Sequence, residues 1–402
     1  MSLKIKELKK NFPIFEHNPN LIYLDTTASS LKNNLAIEAV NHYYSHYGVN
    51  VHRGVYNLSY EATKLYEDAR ETIANFINAR NDEIIFTRGT TASLNMIAAS
   101  YLSKLKPGDE IITSELEHHS SFLPWLNVSK KTGAKLKFVK LNEYGDLTVE
   151  EFKKVLTNKT KVVALTYISN VMGRIQPIKP IIELAKQQGA FTLIDAAQAS
   201  AHFKIDVEDL GCDALAFSGH KMTGPTGIGV LYLNNEVGSS IEPIEFGGEM
   251  VQTVEKDSAI YKQAPIKFEA GTPIISGAIG LGKTVEFILN IGFDKIENHI
   301  KKIYDYTIDK LRKIDGITIY NKKSDTGIIT FNIDDVHPHD AATLFDKNGI
   351  SIRAGEHCAQ LIVKWLGQTA TLRASFYIYN DYADANKFIS TVIETRDFFR
   401  KF

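Results

Sequence analysis

Thr192-Leu-Ile-Asp195-Ala-Ala-Gln198 and, a little further on, Ala214-Leu-Ala-Phe-Ser218-Gly-His220-Lys221 are the stretches on which the reading of this chain turns. In each, a short and almost wholly apolar run ends abruptly in polar residues. Such runs predict strands buried on both faces of a largely parallel sheet. An acid, Asp195, stands at the end of the first, and a lysine, Lys221, follows the second and opens the Gly/Pro-rich loop Thr223-Gly-Pro-Thr-Gly-Ile-Gly.

The same pattern extends outward. Glu83–Thr87, Glu110–Thr113, Lys135–Leu141, Lys161–Ser169 and Gly227–Leu233 also read as strands, which with Phe191–Asp195 and Ala214–Ser218 makes a mostly parallel seven-stranded sheet. Amphipathic helices such as Thr91–Leu105 and Ile178–Gln188 separate them, and the alternation predicts an α/β layered domain. After about Gly282 the pattern changes. A long helix over Thr284–Ile314 leads to strands near Gly316–Tyr320 and Gly327–Ile333, a helix at His339–Lys347, strands around Ile350–Arg353 and Thr371–Tyr379, and a terminal helix at Tyr382–Phe399. Paired strands with helices at their ends predict a smaller α+β domain. The expected limits are 20–282 for the large domain and 283–402 for the small one, joined by the N-terminal segment 1–19.

Composition narrows the function. The chain has 402 residues, more than one hydrophobic core usually serves, and a near-zero net charge of −1 from 46 basic and 47 acidic side chains. That balance gives no electrostatic case for nucleic acid or an anionic membrane as partner, and small molecules fit better. The lysine-rich start lacks the apolar stretch of a secretion signal, and no apolar run is long enough to span a bilayer, so a cytoplasmic protein is expected. Of the two cysteines, Cys212 lies in an apolar segment and reads as a small buried hydrophobe, whereas Cys358 has reactive neighbours.

Lysine and acid at neighbouring strand ends suit pyridoxal phosphate (PLP). The lysine amine holds this cofactor as a Schiff base, and a carboxylate keeps its pyridine nitrogen protonated so that the ring accepts electrons. In open α/β sheets the ligand crevice forms at the carboxyl ends of strands. Ser218 and His220 can donate to a phosphate. Taken alone, Asp195 reads better as a helix cap and Lys221 as a solvated loop lysine; together with Ser218 and His220 they do not. Arg88-Gly89-Thr90-Thr91-Ala92-Ser93 follows a strand and opens a helix, which suits a phosphate cradle or a plain helix cap. Glu117-His118-His119 lacks metal-ligand spacing; an imidazole lying on the cofactor ring fits better, beside the alternative of a surface histidine. Arg353-Ala-Gly-Glu-His357-Cys358-Ala-Gln places a cysteine after a strand, with Arg353 and His357 able to favour its thiolate. Arg373, inside an apolar strand, needs an anion: either a substrate carboxylate or an internal Asp or Glu.

As an ordered set these motifs resemble the class V aminotransferase-like, fold-type I PLP enzymes, and among them cysteine desulfurases of the SufS type. The resemblance runs from about Phe12 to the C-terminus. It includes Tyr23-Leu-Asp25, Val51-His52-Arg53-Gly54, Ser169-Asn170-Val-Met-Gly173 and Phe268-Glu-Ala-Gly-Thr272-Pro273 besides the stretches already quoted. It implies that Lys221 carries PLP and later moves protons, that Asp195 pairs with the pyridine nitrogen, that Gln198 contacts the ring hydroxyl and that His118 stacks on the ring. Thr91, Ser218 and His220 would hold the phosphate, with Thr90 nearby and Thr272 coming from the other subunit. Arg373 and Asn170 would take the substrate carboxylate, with His52 and Arg53 lining the substrate pocket.

The implied reaction converts L-cysteine to L-alanine and leaves the sulfur as a persulfide on Cys358. A homodimer with a shared active site and a sulfur acceptor protein of SufU or SufE kind are implied partners, for iron–sulfur cluster assembly or other sulfur transfer. The short stretch from Cys358 to Arg373 matches the SufS-type group, in which a short loop restricts the thiol, so slow turnover without an acceptor is expected. Glu356 stands where a second histidine is common, Leu361 where proline is frequent, and Thr26-Thr27 where Ser-Ala is usual. Alternatives are a selenocysteine lyase on the same scaffold, a plain aminotransferase, and a degenerate PLP-fold scaffold; the joint presence of Lys221, Asp195, Gln198, Arg373 and Cys358 argues against the last.

Overall fold

The computed structural model describes residues 3–401. Seven strands form the main sheet: β1 (Ile84–Thr87), β2 (Glu110–Ser114), β3 (Lys135–Val139), β4 (Thr160–Thr166), β5 (Phe191–Asp195), β6 (Ala214–Ser218) and β7 (Gly229–Leu233). Their spatial order is β1-β7-β6-β5-β4-β2-β3. All pairings are parallel except those of β7, which runs against both β6 and β1. The apolar runs of β5 and β6 are buried along their whole length, as strands covered on both faces require. One core cluster lies on each face of this sheet, one of them with Leu165, Ile194 and Phe217, the other with Ala164, Leu193 and Ala216. Successive residues of each strand therefore point to opposite cores.

The second sheet is antiparallel, in the order β8 (Ile317–Ile319), β9 (Ile328–Ile333), β11 (Thr371–Ser375), β10 (Arg353–Gly355). A third core covers one face of it. Ile329, Phe331 and Ile333 of β9 and Leu372 and Ala374 of β11 meet Phe345 of the helix Pro338–Lys347 and Phe388 and Val392 of the helix Tyr382–Phe399. The period of two turns Thr371, Arg373 and Ser375 to the opposite face, toward the large sheet.

Three expectations are corrected. The single helix over Thr284–Ile314 is two, Ile275–Ile291 and Phe293–Leu311, broken at Gly292, whose φ of 87° is left-handed. The helix after β1 runs Thr90–Ser100 and stops short of Leu105. The strand around Ile350–Arg353 divides: Ile350–Ser351 pairs in parallel with Ile22–Tyr23, and Arg353–Gly355 joins the second sheet. The residue 282/283 limit falls inside the helix Ile275–Ile291. Packing passes from the first core to the third within Phe293–Leu311, between Ile300 and Ile303.

Candidate active site

A cavity of about 280 Å³ opens at the carboxyl ends of β4, β5 and β6. It is lined by Thr90, Thr91, His118, Asn170, Asp195, Ser218, His220 and Lys221 from the large sheet's side, and by Arg353, His357, Cys358 and Arg373 from the second sheet's side. Its size is at the small end of ligand pockets, roughly 300–1,000 Å³.

On the floor, register sets the positions. Ser218 of β6 and Thr87 of β1 both pair with Gly229 of β7, so the loop leaving β1 arrives beside Ser218. A Cβ on Gly229 would stand 2.4 Å from Gly89 Cα, so only glycine lets the backbones approach this closely. The Thr90 amide donates to Ser218 Oγ at 2.8 Å and the two hydroxyls lie 2.6 Å apart. Thr90 and Thr91 line the cavity and begin an eleven-residue helix, whose first turn carries a partial positive charge.

Asp195 Oδ1 accepts from the Ala197 amide at 2.9 Å. Burial raises its pKa, opposed by the nearby Lys221. Lys221 lies in the single turn after β6, and burial lowers its pKa, opposed by Asp195. His118 Nδ1 accepts from the Ser120 amide at 3.1 Å, which places the proton of the neutral ring on Nε2. Burial, reinforced by Lys221, pushes His118 down to about 3, so its ring is uncharged at neutral pH. His220 is likewise pushed down to about 4 by burial.

The opposite wall carries the carboxylate candidates. Arg373 is buried, donates from Nη1 to the Asn170 carbonyl at 3.0 Å and pairs through Nη2 with Asp25 Oδ1 at 3.0 Å. Arg373 thus has an internal acid, and its buried Nε has no hydrogen-bond partner. Burial lowers its pKa to about 10, with Asp25 opposing, so it stays charged. Arg353 lies across from Arg373 in the register of β10 and β11.

Cys358 is exposed and unpaired, at the rim. It and His357 have φ of 53° and 55°, two consecutive non-glycine residues in the left-handed region. His357 corrects an expectation. Burial depresses it to about 2 and its Nε2 lies 2.8 Å from Thr371 Oγ1, so it is a neutral ring and gives the thiolate no positive charge. Asn170, which lines the cavity, donates from Nδ2 to the His357 carbonyl at 2.8 Å and so holds the cysteine loop, while its Oδ1 is buried without a partner.

Four expected site residues lie outside this cavity. Gln198 is buried beneath it and donates to the Thr27 carbonyl at 2.9 Å. His52 pairs with Glu67 at 2.9 Å and Arg53 with Glu249 at 2.7 Å. Thr272 lines a separate cavity with Arg88, Asn95 and Glu245. Sequence reasoning missed Lys32, which donates to the carbonyl of His220, the residue before Lys221, at 3.1 Å. The amide and hydroxyl of Ser30 reach the same oxygen at 2.9 Å. Nothing in a loop lysine signals such a contact across the chain.

A family model described as aminotransferase class-V matches residues 22–388. A probable cysteine desulfurase of Halalkalibacterium halodurans is 49% identical over 398 residues, 98% of each chain. One of Staphylococcus aureus is 46% identical over 405 residues, 99% of this chain and 98% of its own. Among solved structures, the cysteine desulfurase CsdA of Escherichia coli in an S-sulfonic acid form matches with a TM-score of 0.93 at 36% identity, over 99% of this chain and 100% of its own. An apo cysteine desulfurase of Thermococcus onnurineus matches with a TM-score of 0.94 at 38% identity, over 99% of each.

Proposed function

This chain belongs to the class-V aminotransferase family and is a PLP-dependent cysteine desulfurase, and from that premise we propose how its own residues divide the work. One observation carries the assignment: an amine at 221, a carboxylate at 195, a guanidinium at 373 and a thiol at 358 line a single cavity.

The donor set fits the cofactor. Thr90, Thr91, Ser218 and His220 would hold the phosphate, since hydroxyls at the start of a helix suit an anion. Asp195 would pair with the ring nitrogen, and the neutral His118 would pack on the ring. Lys221 would be the attachment point, and burial, by lowering its pKa, favours the uncharged amine that attachment needs. PLP, when bound there, supplies the electron sink that labilises bonds around an amino acid's α-carbon.

The chain's residues do the rest. Arg373 orients the substrate through its carboxylate, using the unpartnered Nε. Lys221 removes and returns protons at the substrate's α-carbon. Cys358 Sγ forms a bond to the substrate sulfur as the Cβ–S bond breaks; the pair from that bond, with a proton, becomes a methyl C–H of alanine. Atoms balance as L-cysteine plus thiol giving L-alanine plus persulfide. Gln198, Asn170, His52, Arg53 and Thr272 act around this centre, Thr272 from a second copy in a homodimer with a shared site. The persulfide passes to an acceptor protein of SufU or SufE kind in the cytoplasm, for iron–sulfur cluster assembly, as in SufS-type enzymes. No helix among the described residues is long and apolar enough to cross a membrane.

The test is peptide mass spectrometry after one turnover with L-cysteine. A gain of one sulfur is expected on the Cys358 peptide and none on the Cys212 peptide, with persulfide lost in Cys358→Ala. Sulfur accumulating elsewhere would overturn the assignment.

A further inference from the structure

The exposed nucleophile is held by residues to which no role has been given. Cys358 lies between two attachments. Its own carbonyl accepts from the His119 amide at 2.7 Å. Two residues on, the Gln360 amide donates to His119 Nε2 at 3.1 Å. Gln360 begins the helix Gln360–Trp365, whose N-cap residue, Ala359, supplies no side-chain hydrogen bond. A histidine from another element therefore satisfies an amide that the local sequence leaves open. The loop is also closed on itself: Gln360 Nε2 donates to Glu356 Oε1 at 2.6 Å, and the Ala359 amide to the Glu356 carbonyl at 2.9 Å.

These contacts oppose a cost. Two successive non-glycine residues at positive φ, His357 and Cys358, are each disfavoured and persist only where the surroundings hold them. Buried anchors hold His357, through Asn170 and Thr371. For Cys358 the side-chain hydrogen bonds that close the loop are those of His119, Glu356 and Gln360.

We propose that His119 and the Glu356–Gln360 pair are positioning residues for sulfur transfer: they clasp the Cys358 loop so that the thiol meets the substrate's sulfur. None of the three lines the cavity. This inference rests on Cys358 being the sulfur-accepting thiol. It gives Glu356, the residue at which this chain departs from the usual histidine, an acceptor role toward Gln360. For His119 it requires an unprotonated Nε2.

The test uses the PLP-loaded enzyme and compares His119→Ala, His119→Gln, Glu356→Ala and Glu356→Gln. Three quantities are read: cofactor absorbance, the rate of persulfide formation on Cys358 in a single turnover, and the rate of Cys358 alkylation by iodoacetamide. His119→Ala is expected to keep the absorbance, to slow persulfide formation roughly 10- to 100-fold, as small misplacements of a reacting group do, and to speed alkylation several-fold. The Gln variants, whose side-chain carbonyl can accept in place of His119 Nε2 or Glu356 Oε1, should recover most of the transfer rate, and Glu356→Ala should act in the same direction as His119→Ala. Opposite movement of the two thiol rates at constant absorbance separates loss of positioning from unfolding. Wild-type rates in both alanine variants would overturn the clasp. Undiminished persulfide-dependent turnover in Cys358→Ala would instead remove the assignment of the thiol, and the clasp with it.

Discussion

Lys221 and Asp195 stand on a floor built by strand ends, whereas Cys358 stands on a rim built by a loop of the second sheet's side. The floor is positioned by register: Thr166, Asp195 and Ser218 end three adjacent parallel strands. Its charges are tuned by burial, which raises the acid and lowers the amine, so each is drawn toward its neutral form. The rim has strained backbone, an exposed thiol and side-chain hydrogen bonds in place of a ladder. The contrast matches two tasks. Proton movement at a bound substrate needs fixed groups in a dry site. A thiol that takes up sulfur and hands it on, as proposed above, needs to be accessible and releasable.

The largest effect should come from breaking the floor. Lys221→Ala is expected to lower alanine formation by on the order of 10³-fold or more, since a proton-transfer group alone contributes about 10²–10⁴. The absorbance of lysine-bound PLP near the visible edge should vanish with it. Retained absorbance with retained turnover would show that another amine holds the cofactor. A smaller effect should follow at the wall between floor and rim. Arg373→Lys keeps the charge but loses the forked donor, and charge-assisted hydrogen bonds contribute about 1.5–3 kcal/mol. A loss of roughly 10- to 100-fold in kcat/KM for L-cysteine is therefore expected, chiefly in KM, measured by alanine release. An unchanged KM would mean that the guanidinium serves only its internal partners, Asp25 and the Asn170 carbonyl.

The two regions also differed in how far they could be read from sequence. The floor was legible because its signals are local: apolar runs ending in Asp195 and Ser218, and a glycine-bearing turn into a helix at Thr90. Arg373 was legible as a charge in an apolar strand, but its partner Asp25 lies at the other end of the chain, where no local pattern points to it. The charge of His357 was not legible, since burial decides it and burial is tertiary. The break at Gly292 was hidden because apolar residues recur on both sides of it. His52, Arg53, Gln198 and Thr272 entered by resemblance and not by pattern, and these four lie outside the cavity. His119 was visible as half of a histidine pair, but its use as a cap for a distant helix depends on how the two sheets' loops meet.

The last prediction sharpens the role of burial. His202 lies just past the floor, packed edge-on against Tyr377, with its Nδ1 unpartnered. Burial lowers its pKa from 6.5 to about 4. In the unfolded chain the same ring takes a proton below about pH 6.5, while the folded ring stays neutral until about pH 4. Unfolding is therefore proton-linked in that window, and acidification favours the unfolded state. The ring's contribution is fully present above pH 6.5 and falls as pH drops toward 4, by up to about 3 kcal/mol at 1.36 kcal/mol per pH unit. His118 and His220 act in the same direction, so the apo enzyme should lose stability steadily over this range. His202→Phe, which cannot take up the proton, should flatten that loss by about 2–3 kcal/mol between pH 7 and pH 4.5 in urea titrations. The effect belongs to the protein and not to the chemistry, because His202 does not line the cavity. If the variant and the wild type lost stability in parallel, burial of this ring would not be what makes the floor sensitive to acid.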